Sequence, residues 1–324
     1  MVSDRKKILV FGGAGYIGSV LTRMLLERDD EVTVFDRLLF GSESVKDLMG
    51  RQGFSLIQGD LRDIPAVSRA VSGMDAVILL AALVGEPACN RDPQETLDVN
   101  YLATLNVVRT CRSLQVPRLI FASTDSCYGI QEGLLYEDSP LNPISLYAEL
   151  KKRAEAEILN MNGHGFCPTV LRLATVYGLS PRMRFDLVIN VLTLQAVTKG
   201  KIKIFGGRQW RPLVHVRDAA RGFIQALEAP PEKVGRQVFN IGSNEQNYQV
   251  GALGELVRQA LPQVRIETID QPPDLRDYHV SFDKASKVLG YRVERTVSDG
   301  VTEIAEAIRS GAFPDPDQPK YRNA

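Results

Sequence analysis

A strand-like run, Lys7–Phe11, passes without a break into GGAGYIG (Gly12 to Gly18) and then into an amphipathic stretch, Ile17–Glu27. Gly12, Gly15 and Gly18 are spaced three apart, and few folds have a use for this arrangement. One glycine permits a tight turn. A second lets backbone N–H groups approach a pyrophosphate, and a third lets the helix pack close to its strand. The free N–H groups and dipole of the helix start then favour an anion. The turn, with Tyr16 and Ile17 inside it, is therefore expected to hold a dinucleotide.

The residues that follow specify the dinucleotide. Asp36 ends the second strand-like run, 18 residues after Gly18. An acid there accepts hydrogen bonds from the adenosine ribose and favours NAD over NADP. Arg37 is a basic residue beside that acid, the type that meets a 2′-phosphate, so NAD is an expectation rather than a requirement. Asp60-Leu61 follows the third run, and Asp60 has two readings, a helix cap or an adenine contact. Leu80-Ala81-Ala82 ends the fourth run, and small residues there let a cofactor lie against the backbone.

The first 125 residues alternate between short apolar runs (Ile8–Phe11, Val32–Phe35, Phe54–Ile57, Ala76–Leu80, Leu119–Ala122) and longer amphipathic stretches such as Pro93–Leu114. Such alternation predicts a doubly wound parallel sheet covered on both faces, a Rossmann-like α/β fold. Beyond about residue 175 the pattern loosens into helices (Phe185–Lys199, Arg217–Leu227, Gly251–Leu261, Ser298–Arg309) and short strands (Ile202–Phe205, Gln237–Ile241, Arg265–Ile269). This predicts a dinucleotide-binding domain over 1–175 and a smaller α+β substrate domain over 176–324, with some chain crossing between them.

Lys and Arg number 39, as do Asp and Glu, which argues against a general nucleic-acid binder. No apolar run reaches 18 residues, so no membrane span is expected. Four cysteines without a CxxC read as reduced thiols of a cytoplasmic protein, and no metal site is expected.

Tyr147 and Lys151 are spaced i, i+4 on a predicted helix, one turn apart on one face. A neighbouring ammonium, together with the positive charge of a nicotinamide, is expected to favour the phenolate and fit Tyr147 for proton transfer. Ser123-Thr124 lies past the C-terminal end of a predicted strand, where open α/β sheets bind ligands. Thr124 precedes Tyr147 by 23 residues, and its hydroxyl is placed to bridge the tyrosine and a reacting hydroxyl. His215 and Asp218 at the start of a helix read as structural groups. Cys127 reads as buried packing, with a catalytic thiol as the alternative.

These elements, with ASTDSCYG at 122–129, LRLATVYGLSPRMR at 171–184, WRPLVHVRDAARG at 210–222, FNIGS at 239–243 and RDYHVSFDKASKVLGY at 276–291, resemble the extended short-chain dehydrogenase/reductase family. The resemblance is to its branch of NAD-dependent nucleotide-sugar epimerases and dehydratases and spans nearly the whole chain. It implies that Tyr147 is the acid/base, that Lys151 positions the cofactor ribose and that Thr124 assists proton transfer. It also implies a nucleoside-diphosphate sugar as substrate, with Arg211, Arg276 and Asn190 at diphosphate or sugar positions. A homodimer joined by helices at about 95–114 and 147–161 in a four-helix bundle is implied as well. Dehydratases of the family show Thr-Asp-Glu where this chain reads Thr124-Asp125-Ser126. Asp125 is left as an active-site acid touching substrate or a turn residue. Epimerisation at C4 of the sugar is the leading expectation. The alternatives are a net C4 dehydrogenase or ketoreductase of a sugar such as a GDP-heptose, a 4,6-dehydratase, and a non-catalytic NAD-binding regulator.

Overall fold

The computed structural model describes residues 5–269 and 275–323. Five apolar segments become strands: β1 (Lys7–Phe11), β2 (Glu31–Asp36), β3 (Phe54–Gln58), β4 (Ala76–Leu79) and β5 (Arg118–Thr124). With Cys167–Leu173 and Gln237–Ile241 they form a seven-stranded parallel sheet. Its order is Gln237–Ile241, Cys167–Leu173, β5, β4, β1, β2, β3. The order reverses between β1 and β4, so the C-terminal ends of those strands open a crevice at the switch point. Ile8, Val10, Val34 and Ile78 pack under one face, and Leu9, Phe11, Val77 and Leu79 under the other. Residues alternating along a strand thus feed two separate cores, and the runs read as continuously apolar for that reason.

The strand Cys167–Leu173 is fully buried in the middle of the sheet, yet the apolar pattern did not single it out. Pro168 and Arg172 interrupt its hydrophobic run. Arg172 is tolerated there because Glu155, on the helix Leu146–Asn160, takes its Nη2 at 2.8 Å and its Nε at 3.1 Å. A buried cation stands only with a hydrogen-bonded partner.

The predicted helix over Pro93–Leu114 is broken into Pro93–Leu97, a π-helical stretch Asp98–Ala103, and Thr104–Ser113. Within the π stretch the buried Asn100 accepts from the Leu83 N–H at 2.8 Å and donates to the Leu83 carbonyl at 2.8 Å. That loop follows β4, so the irregular turn serves the crevice.

The chain does not divide cleanly near residue 175. Helix Val216–Glu228 packs on α1 (Tyr16–Glu27), and strand Gln237–Ile241 returns to the edge of the large sheet. A separate small core forms around Ile189, Ile202, Leu213, Leu253 and Val301. His215 caps helix Val216–Glu228, its Nδ1 accepting the Arg217 N–H, while Nε2 pairs with Glu303 at 2.7 Å. The buried Asp218 accepts the backbone N–H groups of Glu294 and Arg295. Both side chains are bound within the scaffold. Among the described residues no helix is long and apolar enough to cross a membrane.

Candidate active site

A cleft of about 540 Å³ lies at the carboxyl ends of the parallel strands. The glycine turn forms its floor. Gly12 adopts φ +81°, and a Cβ there would meet the Ala81 nitrogen at 2.7 Å. A Cβ at Gly18 would overlap the Gly12 carbonyl oxygen. Helix α1 starts at Gly15 with no side-chain cap, so its first N–H groups stay open toward the cleft floor. Gly12, Gly15, Tyr16, Ile17, Gly18, Asp36, Arg37, Asp60, Leu61, Leu80, Ala81 and Ala82 all line this cleft, as their spacing predicts. The fit to a dinucleotide thus rests on the backbone: bare glycines, an uncapped helix start and an acid at the end of β2.

Asp36 holds the turn as well as facing the cleft. It accepts the Ala14 N–H at 3.0 Å and the Leu38 N–H at 2.8 Å. Burial raises its carboxyl above the usual range, opposed by these two bonds. Arg37 is committed elsewhere, with Nη1 on Glu95 at 2.9 Å and Nε 3.3 Å from Asp60. Arg62 also grips Asp60, which holds that carboxyl below its usual range. Two acids therefore neutralise Arg37, which weakens its claim on a 2′-phosphate and leaves Asp36 to set the preference.

At the other end of the cleft Thr124, Tyr147 and Lys151 line the wall together. Ser145 caps the helix Leu146–Asn160 by accepting the Ala148 N–H, which places Tyr147 and Lys151 in its first turns. Lys151 is buried, donates to the Ala122 carbonyl at 2.8 Å and sits 4.5 Å from the Phe121 ring centre. Burial lowers its ammonium to about 8. Thr124 ends β5, and its Oγ1 accepts the Ser126 N–H at 3.1 Å. Tyr147 stands on this wall, and its expected acidity requires the nicotinamide charge as well as the lysine. Burial raises the phenol above its ordinary value, and the charges that oppose this are Arg184 and Arg276.

Three residues expected to contact substrate do not line this cleft. Asn190 is fully buried outside the cleft. It accepts the Gly178 N–H at 3.0 Å and donates to the Tyr16 hydroxyl at 3.0 Å and the Arg184 carbonyl at 2.8 Å. It ties the glycine turn to the loop after Tyr177, because its amide satisfies three elements at once. Arg211, expected at a diphosphate position, is buried and donates to the Arg276 and Trp210 carbonyls. Asp125 turns inward, with both carboxyl oxygens buried and no hydrogen-bond partner among the described residues. Burial raises its carboxyl well above the usual range. Arg276 does line the cleft, with Nη1 3.0 Å from Ser126 Oγ. Cys127 is buried against the Ala148 carbonyl, and burial raises its thiol, so it packs rather than reacts.

Asp125 carries a prediction. Unfolded, the carboxyl loses its proton near pH ~3.9. Folded, it keeps the proton to higher pH, so between those limits the folded state binds more protons and stability falls as pH rises. Asp125→Asn should stabilise the protein at pH 7 by about 1–3 kcal/mol, and by less near pH 4. Urea unfolding at both pH values checks this, and equal gains would contradict the inward carboxyl.

Phe40, Arg182, Arg184, Tyr278 and Asn323 also line the cleft and were not singled out. The two arginines lie in the SPRMR end of a quoted motif, where alternating cations in an apolar context were a readable signal. Asn323 lies too far along the chain for any local pattern to place it.

Comparison with known proteins settles the class. The profile of the NAD dependent epimerase/dehydratase family matches residues 8–242. The chain belongs to that family. It is 30% identical over 326 residues to a UDP-glucose 4-epimerase of Corynebacterium glutamicum, across 94% of this chain and 96% of that one. It is 29% identical to a UDP-glucuronate 4-epimerase of Thermodesulfobacterium geofontis, across 90% and 93%. Among solved structures it resembles the UDP-glucuronic acid 4-epimerase of Bacillus cereus in complex with UDP-glucuronic acid and NAD. That likeness has a TM-score of 0.85 at 26% identity, over 94% of this chain and 99% of the other. The protein is an enzyme of this NAD-dependent family, and NAD is its cofactor.

Proposed function

We propose that the protein is a nucleotide-sugar epimerase acting through a transient 4-keto sugar, with a UDP-sugar as the favoured substrate class. The observation that carries this reading is the set of Thr124, Tyr147 and Lys151 on the wall of the cleft whose floor is the glycine turn. The 4-epimerases among its relatives support it.

When bound, NAD supplies the acceptor for the hydride leaving C4 and a positive charge in the cleft. The protein's own groups handle the proton. Tyr147 takes it from the C4 hydroxyl as the phenolate, the form that the positive charges of Lys151 and bound NAD favour, with Thr124 bridging the two oxygens. The electron pair of that O–H bond becomes the C4 carbonyl π bond as the hydride departs. Lys151 carries a positive charge behind the tyrosine and offers its ammonium to the cofactor ribose. Arg276, at the Ser126 end of the cleft, takes the sugar diphosphate, since its planar fork suits phosphate oxygens. After the keto sugar turns over, the hydride returns from the bound cofactor to its opposite face, and Tyr147 gives the proton back to the C4 oxygen. Atoms and electrons balance with no net change in the cofactor.

Ser126 occupies the position where the dehydratases place glutamate, and its hydroxyl lies against Arg276, so the chain has no base there for removing water. The homodimer implied by resemblance is part of the same reading. Leu102, 47% exposed, and Leu114, 42% exposed, lie in the region expected to form its bundle.

The test is a panel of UDP-, GDP-, CDP- and dTDP-sugars, with products read by mass spectrometry and NMR. A new isomer of unchanged mass is expected. Loss of water would mean dehydration, and loss of two hydrogens a net oxidation. A second expectation concerns pH. Lys151 keeps its proton below about 8 and loses it above. Turnover should therefore fall on the alkaline side of that value, and a rate still climbing well beyond it would remove Lys151 from its role.

A further inference from the structure

Arg182 is a buried cation that the proposed chemistry does not use. It is 6% exposed and lines the cleft. Its guanidinium carbon lies 3.8 Å from the centre of the Phe40 ring. Its Nη2 donates to Asn323 Oδ1 at 2.6 Å, and its Nε is buried with no hydrogen-bond partner among the described residues. Burial and then the neighbouring Arg184 lower it to about 10, opposed by Asp186, which Arg184 already holds, and by Asp36 and Tyr16. Asp36 already accepts two backbone N–H groups, so it offers Arg182 distant charge rather than a fork-shaped partner. A cation buried in this way is stable only when an anion completes it.

The surroundings hold Arg182 in place. The Asn323 N–H reaches Asp186 at 3.3 Å, and the Phe185 N–H donates to the Tyr321 carbonyl at 2.8 Å. Phe185, Phe313 and Tyr321 pack edge to face around that contact. On its other side Asn323 lies against Gly85, where a Cβ would come within 3.1 Å of the Asn323 carbonyl oxygen. The segment 313–323 therefore pins the loop 182–187 and spans toward the loop after β4. Arg182 stacks on Phe40, which follows β2 and Asp36 on the glycine-turn side of the cleft. Arg276 stands with Ser126 in the other half.

We propose that Arg182, fixed between Phe40 and Asn323, is a latch on the cofactor diphosphate, and that the segment 313–323 closes this latch over the glycine turn. The diphosphate would be held between the open N–H groups of α1 and the Arg182 guanidinium on the cleft wall. A cofactor held from both sides stays bound between turnovers. This inference rests on the family's cofactor and stands whether or not the reaction is epimerisation.

The test uses full-length Arg182→Ala, Arg182→Lys and Asn323→Ala. NAD carried through purification is assayed, NADH affinity is measured by fluorescence, and UDP affinity by calorimetry. Melting without added cofactor reports folding. NADH affinity should fall on the order of 10- to 100-fold in Arg182→Ala, because one charge-assisted contact is lost. Asn323→Ala should weaken it in the same direction, with less NAD retained on purification and UDP affinity unchanged. Should Arg182→Ala fail to fold, Arg182→Lys and Asn323→Ala decide the matter. NADH affinity within about twofold of the parent in the folded variants would overturn the latch. A fall in UDP affinity in place of NADH affinity would overturn it equally, by assigning Arg182 to the substrate diphosphate.

Discussion

Tyr147→Phe is expected to lower turnover by about 10²- to 10⁴-fold and to leave NADH affinity near that of the parent. The ring still fills its place on the wall, because only the hydroxyl is removed. The phenolate oxygen is the proton acceptor, and the nearby carboxylates are engaged elsewhere, Glu86 3.9 Å from Arg276 and Asp186 held by Arg184. Cys127 is buried against the Ala148 carbonyl, and Asp125 turns away from the cleft. Arg184 and Arg276 are cations and cannot act as bases at neutral pH. Single-turnover NADH formation on mixing with a nucleotide sugar separates this step from binding. Near-normal formation in Tyr147→Phe would remove the tyrosine from the mechanism.

Glu155→Ala is expected to cost about 3–5 kcal/mol of stability, since it leaves Arg172 charged and buried without its partner. Both side chains are under a tenth exposed, and the pair is bidentate. The damage should reach the site as well. Ser123 donates to Glu155, and Ser123 precedes Thr124 at the end of β5. Arg172 also reaches the Tyr128 hydroxyl and the Glu137 carbonyl at 3.0 Å each. Urea unfolding with unchanged m-value measures the loss. Glu155→Ala with Arg172→Met should recover much of it, because an apolar pair of similar volume is tolerated where a lone charge is not. A loss below about 1 kcal/mol would mean that water reaches Arg172 and screens it.

These two positions show where reading the chain residue by residue reaches its limit. Tyr147 and Lys151 are four apart on a helix, and Gly12 to Gly18 occupy a single turn. Interactions of that range are set by local geometry, so spacing alone located them. The strands β1 to β5 were readable for the same reason, each being a run with a local period. Arg172 was not readable as a strand residue because its neutralising carboxylate lies on another element. Arg211 and Asn190 sit at motif positions, but a motif gives a residue's place and not its direction. Both side chains turned out to bind the scaffold: Arg211 supports the Arg276 backbone, and Asn190 joins Tyr16, Gly178 and Arg184.

The sequence by itself determined the dinucleotide turn, the acid at the end of β2, the tyrosine–lysine pair and the parallel α/β plan. Each depends on residues within a few turns or one strand of one another. Only the tertiary structure decided which charges face the cleft. Arg37 is paired with Glu95 and Asp60, Asp125 is turned inward, and Arg182 is held on the cleft wall by Asn323. Charge is long-ranged and is settled by burial and by partners distant in the chain. The same near-neutral composition could have supported several distributions of those charges, and packing selected one.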